Sequence, residues 1–328
     1  MSEAVAKLGL VLCVDDEPGI LRSLQWLLKK EFDVKIATSG HEALEMLRHH
    51  DFDVILSDQR MPGMMGSQFL HEARKISPRS MRILLTGYSD LQAILHSVND
   101  GEVFRFVNKP WNIKELPKII SDAAIISKNQ PSEAASSEND NGDEINTGDE
   151  SILLIDDDPL MDQLVLDAVG ADVKIVHATT LAEAIAAVED KNVGIILSDT
   201  KVDKLDTTTM LKVMKHDHPD IVTVVYSATT DAIDVITLIN QGQIFRFIPK
   251  PVKTVMLKQA LMRAAVKRRE LRGSPDAAKR HMVESISEKA KVDLYKTIQS
   301  SASNVVTTPA SSLLQRIRNA FRALLGRG

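Results

Sequence analysis

The stretch Val11-Leu-Cys-Val-Asp-Asp-Glu-Pro18 decides the reading of this chain. A short apolar run passes straight into an acidic cluster, as a strand buried on both faces does when it emerges at a sheet edge. The same pattern returns 141 residues later as Ile152-Leu-Leu-Ile-Asp-Asp-Asp-Pro159. At that offset Ile55-Leu-Ser-Asp58 falls on Ile196-Leu-Ser-Asp199, and Phe104-Arg-Phe-Val-Asn-Lys-Pro110 falls on Phe245-Arg-Phe-Ile-Pro-Lys-Pro251. Three matches at one offset imply a duplicated domain.

Within the first repeat the expected strands are Gly9–Val14, Val34–Ala37, Val54–Ser57, Arg82–Leu85 and Val103–Val107. Amphipathic stretches such as Ile20–Lys30, Gly40–His49 and Leu91–Asn99 separate them. Apolar strands alternating with helices indicate a parallel sheet covered on both sides. The expected fold is α/β: two doubly wound, five-stranded parallel-sheet domains of the flavodoxin-like type, plus a C-terminal helical tail. The expected division is 8–126 for the first domain, 127–150 for an acidic flexible linker, 151–271 for the second domain and 272–328 for a basic helical tail.

Composition fits this plan. The 328 residues are 44% hydrophobic, enough for two ordinary cores. A single cysteine, Cys13, excludes an internal disulfide framework and reads as core filler. No signal peptide or bilayer-length apolar run is visible, so a cytoplasmic protein is expected. The formal net charge of −5 hides an asymmetry: from Val252 onward sixteen bases face five acids, whereas Lys128–Ser151 carries one base and seven acids. The Ser, Asn, Asp and Glu content of that acidic segment suits a disordered linker.

In a doubly wound sheet the ligand site lies beyond the carboxyl ends of the strands. Asp15 and Asp16 follow the first strand, Asp58 ends the third, Thr86 ends the fourth and Lys109 follows the fifth. Taken singly, such residues are ordinary solvated turn residues. Repeated with the same intervals as Asp156, Asp157, Asp199, Ser227 and Lys250, they read as one pocket made twice. Clustered carboxylates repel and call for a cation, and Mg²⁺ suits them as a hard, oxygen-seeking ion. A carboxylate can also attack a phosphoryl group to give an acyl phosphate, if metal and cation neutralise the transferred charge. On that reading Asp16 and Asp58 hold Mg²⁺ and Asp15 helps through water. Lys109 pairs with one phosphoryl oxygen, and the Thr86 hydroxyl bonds another.

As a set, Val-Asp-Asp-Glu-Pro, Leu-Ser-Asp-Gln-Arg-Met-Pro-Gly, Leu-Leu-Thr-Gly and Val-Asn-Lys-Pro-Trp resemble the receiver domain of two-component response regulators. The first repeat is similar in detail to receivers that precede HD-GYP or hydrogenase-regulator output domains, notably at Gly87-Tyr-Ser-Asp90 and Asn108-Lys-Pro-Trp111. The resemblance implies phosphotransfer from a histidine kinase, or a phosphotransfer protein, to Asp58 and also to Asp199. It implies metal ligation by the backbone carbonyl of Arg60, and of Lys201 in the second repeat. It implies a cis Lys109–Pro110 peptide. It further implies a signal in which the Thr86 hydroxyl moves toward the phosphoryl group while Phe106 turns inward. For Phe106 and Phe247 ordinary half-buried strand packing is the plainer alternative.

The second repeat departs from the pattern in one loop. Met61-Pro-Gly63 becomes Val202-Asp-Lys204, Gly66 becomes Thr207 and Asn108 becomes Pro249. In the tail, Asp276–Ser300 and Ser311–Gly326 read as amphipathic helices, the second with basic and apolar faces and no acid. A docking helix for a downstream protein partner is the leading reading; a peripheral membrane helix, a nucleic-acid contact and packing within the chain are the others. No helix-turn-helix, zinc or aromatic-platform motif supports nucleic acid. No output enzyme motif is visible either, so the protein is not expected to be an enzyme beyond its own phosphorylation and dephosphorylation. Rival readings are a phosphate sink or scaffold that competes for a kinase, and a DNA-binding regulator. A homodimer through the last helices of the receivers is compatible with the sequence.

Overall fold

The computed structural model describes residues 7–87, 103–128, 145–190, 192–228, 232–242, 244–273, 292–294 and 296–297. The chain divides into two compact units, each with a five-stranded sheet. In the first unit the elements are β1 (Leu10–Val14), α1 (Pro18–Leu28), β2 (Asp33–Ala37), α2 (Gly40–His49), β3 (Val54–Asp58), α3 (Gly66–Ile76), β4 (Met81–Thr86), β5 (Arg105–Asn108) and α4 (Leu116–Lys128). Their strands lie in the order β2-β1-β3-β4-β5, all parallel.

The second unit comprises β6 (Ser151–Ile155), α5 (Leu160–Val169), β7 (Lys174–Ala178), α6 (Leu181–Asp190) and β8 (Val193–Asp199). A small hairpin follows, β9 (Lys201–Val202) with β10 (Leu205–Asp206), then α7 (Thr208–Asp217), β11 (Val222–Ser227), α8 (Ala232–Gly242), β12 (Arg246–Pro249) and α9 (Thr254–Gly273). Its sheet runs β7-β6-β8-β11-β12, again parallel. Both sheets therefore have the doubly wound flavodoxin-like order. The expected helix Leu91–Asn99 lies outside the described residues. So do the expected tail helices, apart from residues 292–294 and 296–297. Among the described residues no helix is long and apolar enough to cross a membrane.

The sheets are buried on both faces, which is why their strands read as continuous apolar runs. Val11 and Cys13 pack with Leu21, Leu24 and Leu28 of α1 and with Ile120 and Ala124 of α4. Leu12 and Ile55 are fully buried too; strand periodicity places Leu12 on the opposite face from its neighbours. Burial pushes the Cys13 thiol up to about 12, as suits a filler residue. Helix α2 begins where the Ser39 hydroxyl accepts the Glu42 N–H at 3.2 Å, while the Glu42 carboxylate accepts the Thr38 N–H at 2.7 Å. Thr180, Glu183 and Thr179 repeat this reciprocal cap at the start of α6.

Both ends of the expected linker span, 127–150, lie in described structure. Helix α4 runs through Lys128, and Ile145 is buried in the core of the second unit. Glu150, counted as a solvated linker acid, is only 3% exposed. Arg268 of α9 draws it inside, donating from Nη2 to Oε1 at 2.7 Å and from Nε to Oε2 at 3.0 Å, and reaching Asp220 at 2.5 Å. Gly194 makes the room: a Cβ there would lie 2.3 Å from the Glu150 carboxylate. The first unit fills the matching space from the other strand, with the Asp53 carboxylate lying against Gly9 and accepting the Leu10 N–H at 2.8 Å.

Two outcomes follow from these buried charges. Arg268→Ala would leave buried Glu150 with the more exposed Arg272 at 3.5 Å in place of its close bidentate pair, and should destabilise the second unit by about 3 kcal/mol. Urea unfolding of the full chain should show the second unit's transition moved to lower denaturant and the first unit's unmoved. Lys215, 3% exposed with its ammonium on the Ile221 carbonyl at 2.6 Å, has its pKa lowered by burial to about 7 despite nearby Asp220. Between about 7 and the ordinary value of 10.5 the unfolded chain holds this proton and the folded chain does not. Stability should therefore rise with pH across that window, and Lys215→Met should flatten the rise in thermal melts.

Candidate functional site

Strand register builds the first site. Val14 pairs with Ser57 across β1 and β3, Asp58 with Leu85 across β3 and β4, and Thr86 with Asn108 across β4 and β5. The residues at or just beyond these ends, Asp15, Asp58, Thr86 and Lys109, are thereby brought to one edge of the sheet. Lys109 Nζ bridges two carboxylates, 2.8 Å from Asp15 Oδ2 and 2.6 Å from Asp58 Oδ1. Asp15 is fully buried and Asp58 is 7% exposed. The Glu17 N–H holds the other Asp15 oxygen at 2.8 Å, and the Arg60 N–H holds Asp58 Oδ2 at 3.1 Å.

Burial raises the Asp58 carboxyl above its ordinary pKa, with Asp15 adding to the rise and Lys109 opposing it. Desolvation would lower Lys109, but its hydrogen bonds to Asp15 and Asp58 outweigh that and hold it above the usual lysine value. Asp16, more open to solvent, completes a group whose ligand oxygens lie within 4.8 Å of one another. Three hard oxygen donors at that spacing fit a divalent cation such as Mg²⁺. The Thr86 hydroxyl, fully buried, donates to the Gly87 carbonyl at 3.2 Å. Phe106 is also buried, and Lys109–Pro110 is cis, as is Lys250–Pro251.

The loop after Asp58 passes directly over that residue. A Cβ on Gly66 would lie 1.9 Å from the Asp58 carbonyl oxygen, so only glycine fits this path. Thr207 stands there in the second repeat, its N–H on the Thr200 carbonyl at 3.0 Å just as the Gly66 N–H is on the Gln59 carbonyl at 3.0 Å. The Thr207 hydroxyl donates to the Asp199 carbonyl at 2.8 Å, turning the clash into a contact. Asp203 and Lys204 have φ of 50° and 64° and form the two-residue turn between β9 and β10. Two positive φ values in such a turn match a type I′ hairpin.

The second site keeps the residue types and changes their partners. Lys250 Nζ lies 2.5 Å from Asp199 Oδ2. Asp156 is instead hydrogen-bonded by the Tyr226 hydroxyl, and its Oδ1 accepts the Asp158 N–H at 2.7 Å. Asp157 accepts the Asp203 N–H at 3.1 Å. Asp199 Oδ1 accepts the Thr200 N–H at 2.6 Å, and the Thr200 and Ser227 hydroxyls lie 2.9 Å apart. Lys201, whose carbonyl was expected to face a metal, sits in the hairpin paired with Asp206. Among the described residues Asp15, Asp16 and Asp58 form a close acidic group of this kind; Asp156, Asp157 and Asp199 do not.

Tyr226 is a site neighbour that the sequence alone does not single out. The signal was there at the repeat offset, where Leu85 becomes a tyrosine inside a buried strand. A buried phenol needs a hydrogen-bond partner, and here it finds an acid of the site. Gln59 was also missed. It is buried beside Asp58, with its side chain accepting the Ser67 N–H at 3.0 Å and tying α3 to the loop.

Known proteins resemble parts of this chain. The chain is 40% identical over 105 residues to the hydrogenase transcriptional regulatory protein HoxA of Cupriavidus necator, covering 32% of this chain and 22% of HoxA. It is 33% identical over 120 residues to the DNA-binding transcriptional regulator NtrC of Escherichia coli K12, covering 35% of this chain and 24% of NtrC. The chain thus spans about a quarter of the length of these curated relatives. Among solved structures, the signal receiver domain of an HD domain-containing protein from Pseudomonas fluorescens Pf-5 is 31% identical with a TM-score of 0.36, covering 39% of this chain and 94% of that one. The family model described as the response regulator receiver domain matches residues 11–121 and 152–262. The chain accordingly belongs to the response regulator receiver-domain family, of which it carries two copies.

Proposed function

We propose that this chain is a two-receiver phosphoacceptor switch, with Asp58 taking the phosphoryl group in the first receiver. The observation that carries the reading is the Lys109 bridge between Asp15 and Asp58, set within 4.8 Å-spaced carboxylates. An Asp58 oxygen attacks the phosphorus of a phosphohistidine on a kinase or phosphotransfer protein. The P–N bond breaks with its electron pair going to the ring nitrogen, the imidazole leaves after taking up a proton from solvent, and an acyl phosphate forms on Asp58. Asp15, Asp16, Asp58 and the Arg60 carbonyl would hold Mg²⁺, which supplies positive charge to the phosphoryl oxygens.

The chain's own groups do the rest. The Arg60 N–H and Lys109 keep the carboxylate aimed out of the sheet edge, and Lys109 can follow a phosphoryl oxygen once the negative charge moves outward. The Thr86 hydroxyl is the donor placed to respond from the next strand, and Phe106 is the buried group beside it in register with Leu84. Asp199, with Lys250 and Ser227, is the second acceptor; Asp156, Asp157 and the Lys201 carbonyl are its metal-side residues. Output runs through protein contacts at the receiver surfaces or the basic C-terminal segment, in the manner of a population shift between two states.

The test is intact-protein mass after incubation with acetyl phosphate and Mg²⁺. Wild type should gain a phosphoryl group that Asp58→Asn does not, and excess EDTA should abolish the gain. A second addition at high Mg²⁺ should vanish in Asp199→Asn. An undiminished first addition in Asp58→Asn would sink the assignment.

A further inference from the structure

The two receivers carry the same acids but treat them differently. In the first, Asp15 shares its lysine with Asp58. In the second, Tyr226 has taken that acid from the lysine. The phenol is fully buried and donates to Asp156 Oδ2. Lys250 is left on Asp199, with its ammonium 5.2 Å from the Tyr226 ring centroid, a cation–π placement that keeps it there. At the other end of the set, the Asp203 N–H at the hairpin tip holds Asp157 Oδ2 at 3.1 Å. Leu85 offers no such hydroxyl in the first receiver, and Pro62, the counterpart of Asp203, has no N–H to offer.

Mg²⁺ demands near-ideal octahedral geometry and gives up its water reluctantly, so it rewards donors already gathered. The first receiver has them gathered within 4.8 Å, and the second does not. Gathering Asp156, Asp157 and Asp199 works against two hydrogen bonds. Losing the first would leave a buried phenol without its acceptor.

We infer that the Tyr226 hydroxyl and the Asp203 amide hold the second receiver closed to divalent cations, so that it stays unloaded at Mg²⁺ concentrations that fill the first. The inference rests on the reading that Asp15, Asp16 and Asp58 hold the first receiver's ion. It makes the pair a graded device, in which one metal level supports phosphotransfer to Asp58 and a higher one is needed for Asp199.

The experiment counts Mn²⁺ bound to the full chain by the loss of its free electron-paramagnetic signal, with Mg²⁺ as competitor. Wild type should show one tight ion, lost in Asp58→Asn, and a second at least tenfold weaker. Tyr226→Phe removes only the hydroxyl and keeps the ring's packing. Adding V202M, D203P and K204G transplants the first receiver's loop and removes the Asp203 N–H. Either variant, shown folded by its thermal melt, should tighten the second ion at least tenfold. Two equivalent ions in wild type, or a second ion unchanged in both variants, would overturn the inference. Binding that Asp58→Asn leaves unaltered would overturn the first receiver's metal reading, and this inference with it.

Discussion

One ammonium group makes the first site possible. Asp15 and Asp58 lie buried at the edge of one sheet, where two carboxylates so close repel one another. Lys109 resolves that conflict by standing between them, and it does so from a strand remote in sequence. The site therefore depends on register across β1, β3, β4 and β5. A slip of one residue in any of these strands would turn its side chains to the opposite face. With both faces buried along Val11–Val14 and Val54–Asp58, it is the close packing of individual side chains that holds this register. Core packing and site chemistry are thus one constraint seen from two ends of the same strands.

Much of this could be read from the residues. The expected strand Gly9–Val14 is observed as Leu10–Val14, Val54–Ser57 as Val54–Asp58, and Gly40–His49 is a helix with those bounds. These features are legible because burial imposes local periodicity. The convergence of Asp15, Asp58 and Lys109 was legible for another reason: duplication repeated the intervals. What was not legible were partnerships made by single side chains across long separations. Glu150 reads as one more acid of an acidic linker until Arg268, on the last helix of the unit, is seen to pair with it. Tyr226 reads as core until its hydroxyl is seen to reach Asp156. Neither contact has a period, and neither is encoded near its own position.

The duplication shows which features the fold enforces and which it lets drift. The backbone path is kept, and side chains trade places around it. Gly9 faces the Asp53 carboxylate in one unit, and Gly194 faces the Glu150 carboxylate in the other. These are corresponding positions, with glycine and acid exchanged between the two strands. One strand must yield space to the acid, but the fold does not dictate which. Gly66 and Thr207 follow the same logic. One loop needs a missing Cβ where it crosses the Asp58 carbonyl, and the other uses a side-chain hydroxyl to bind the matching carbonyl.

The hairpin that replaces the first receiver's loop carries a cost that local packing does not explain. Asp203 and Lys204 are held at positive φ, where an L residue with a Cβ is disfavoured by roughly 1 kcal/mol. Glycine at either position would relieve this, and the first receiver has Gly63 at a φ of 78° in its own loop. What the strained turn delivers is the Asp203 N–H at Asp157. Strain next to an acidic site, coupled with a buried phenol on the neighbouring acid, points the same way from two independent elements. The first receiver uses one ammonium to hold two acids together; the second leaves its ammonium on Asp199 and holds Asp156 and Asp157 with neutral donors, and that difference in donors separates two otherwise matching sites.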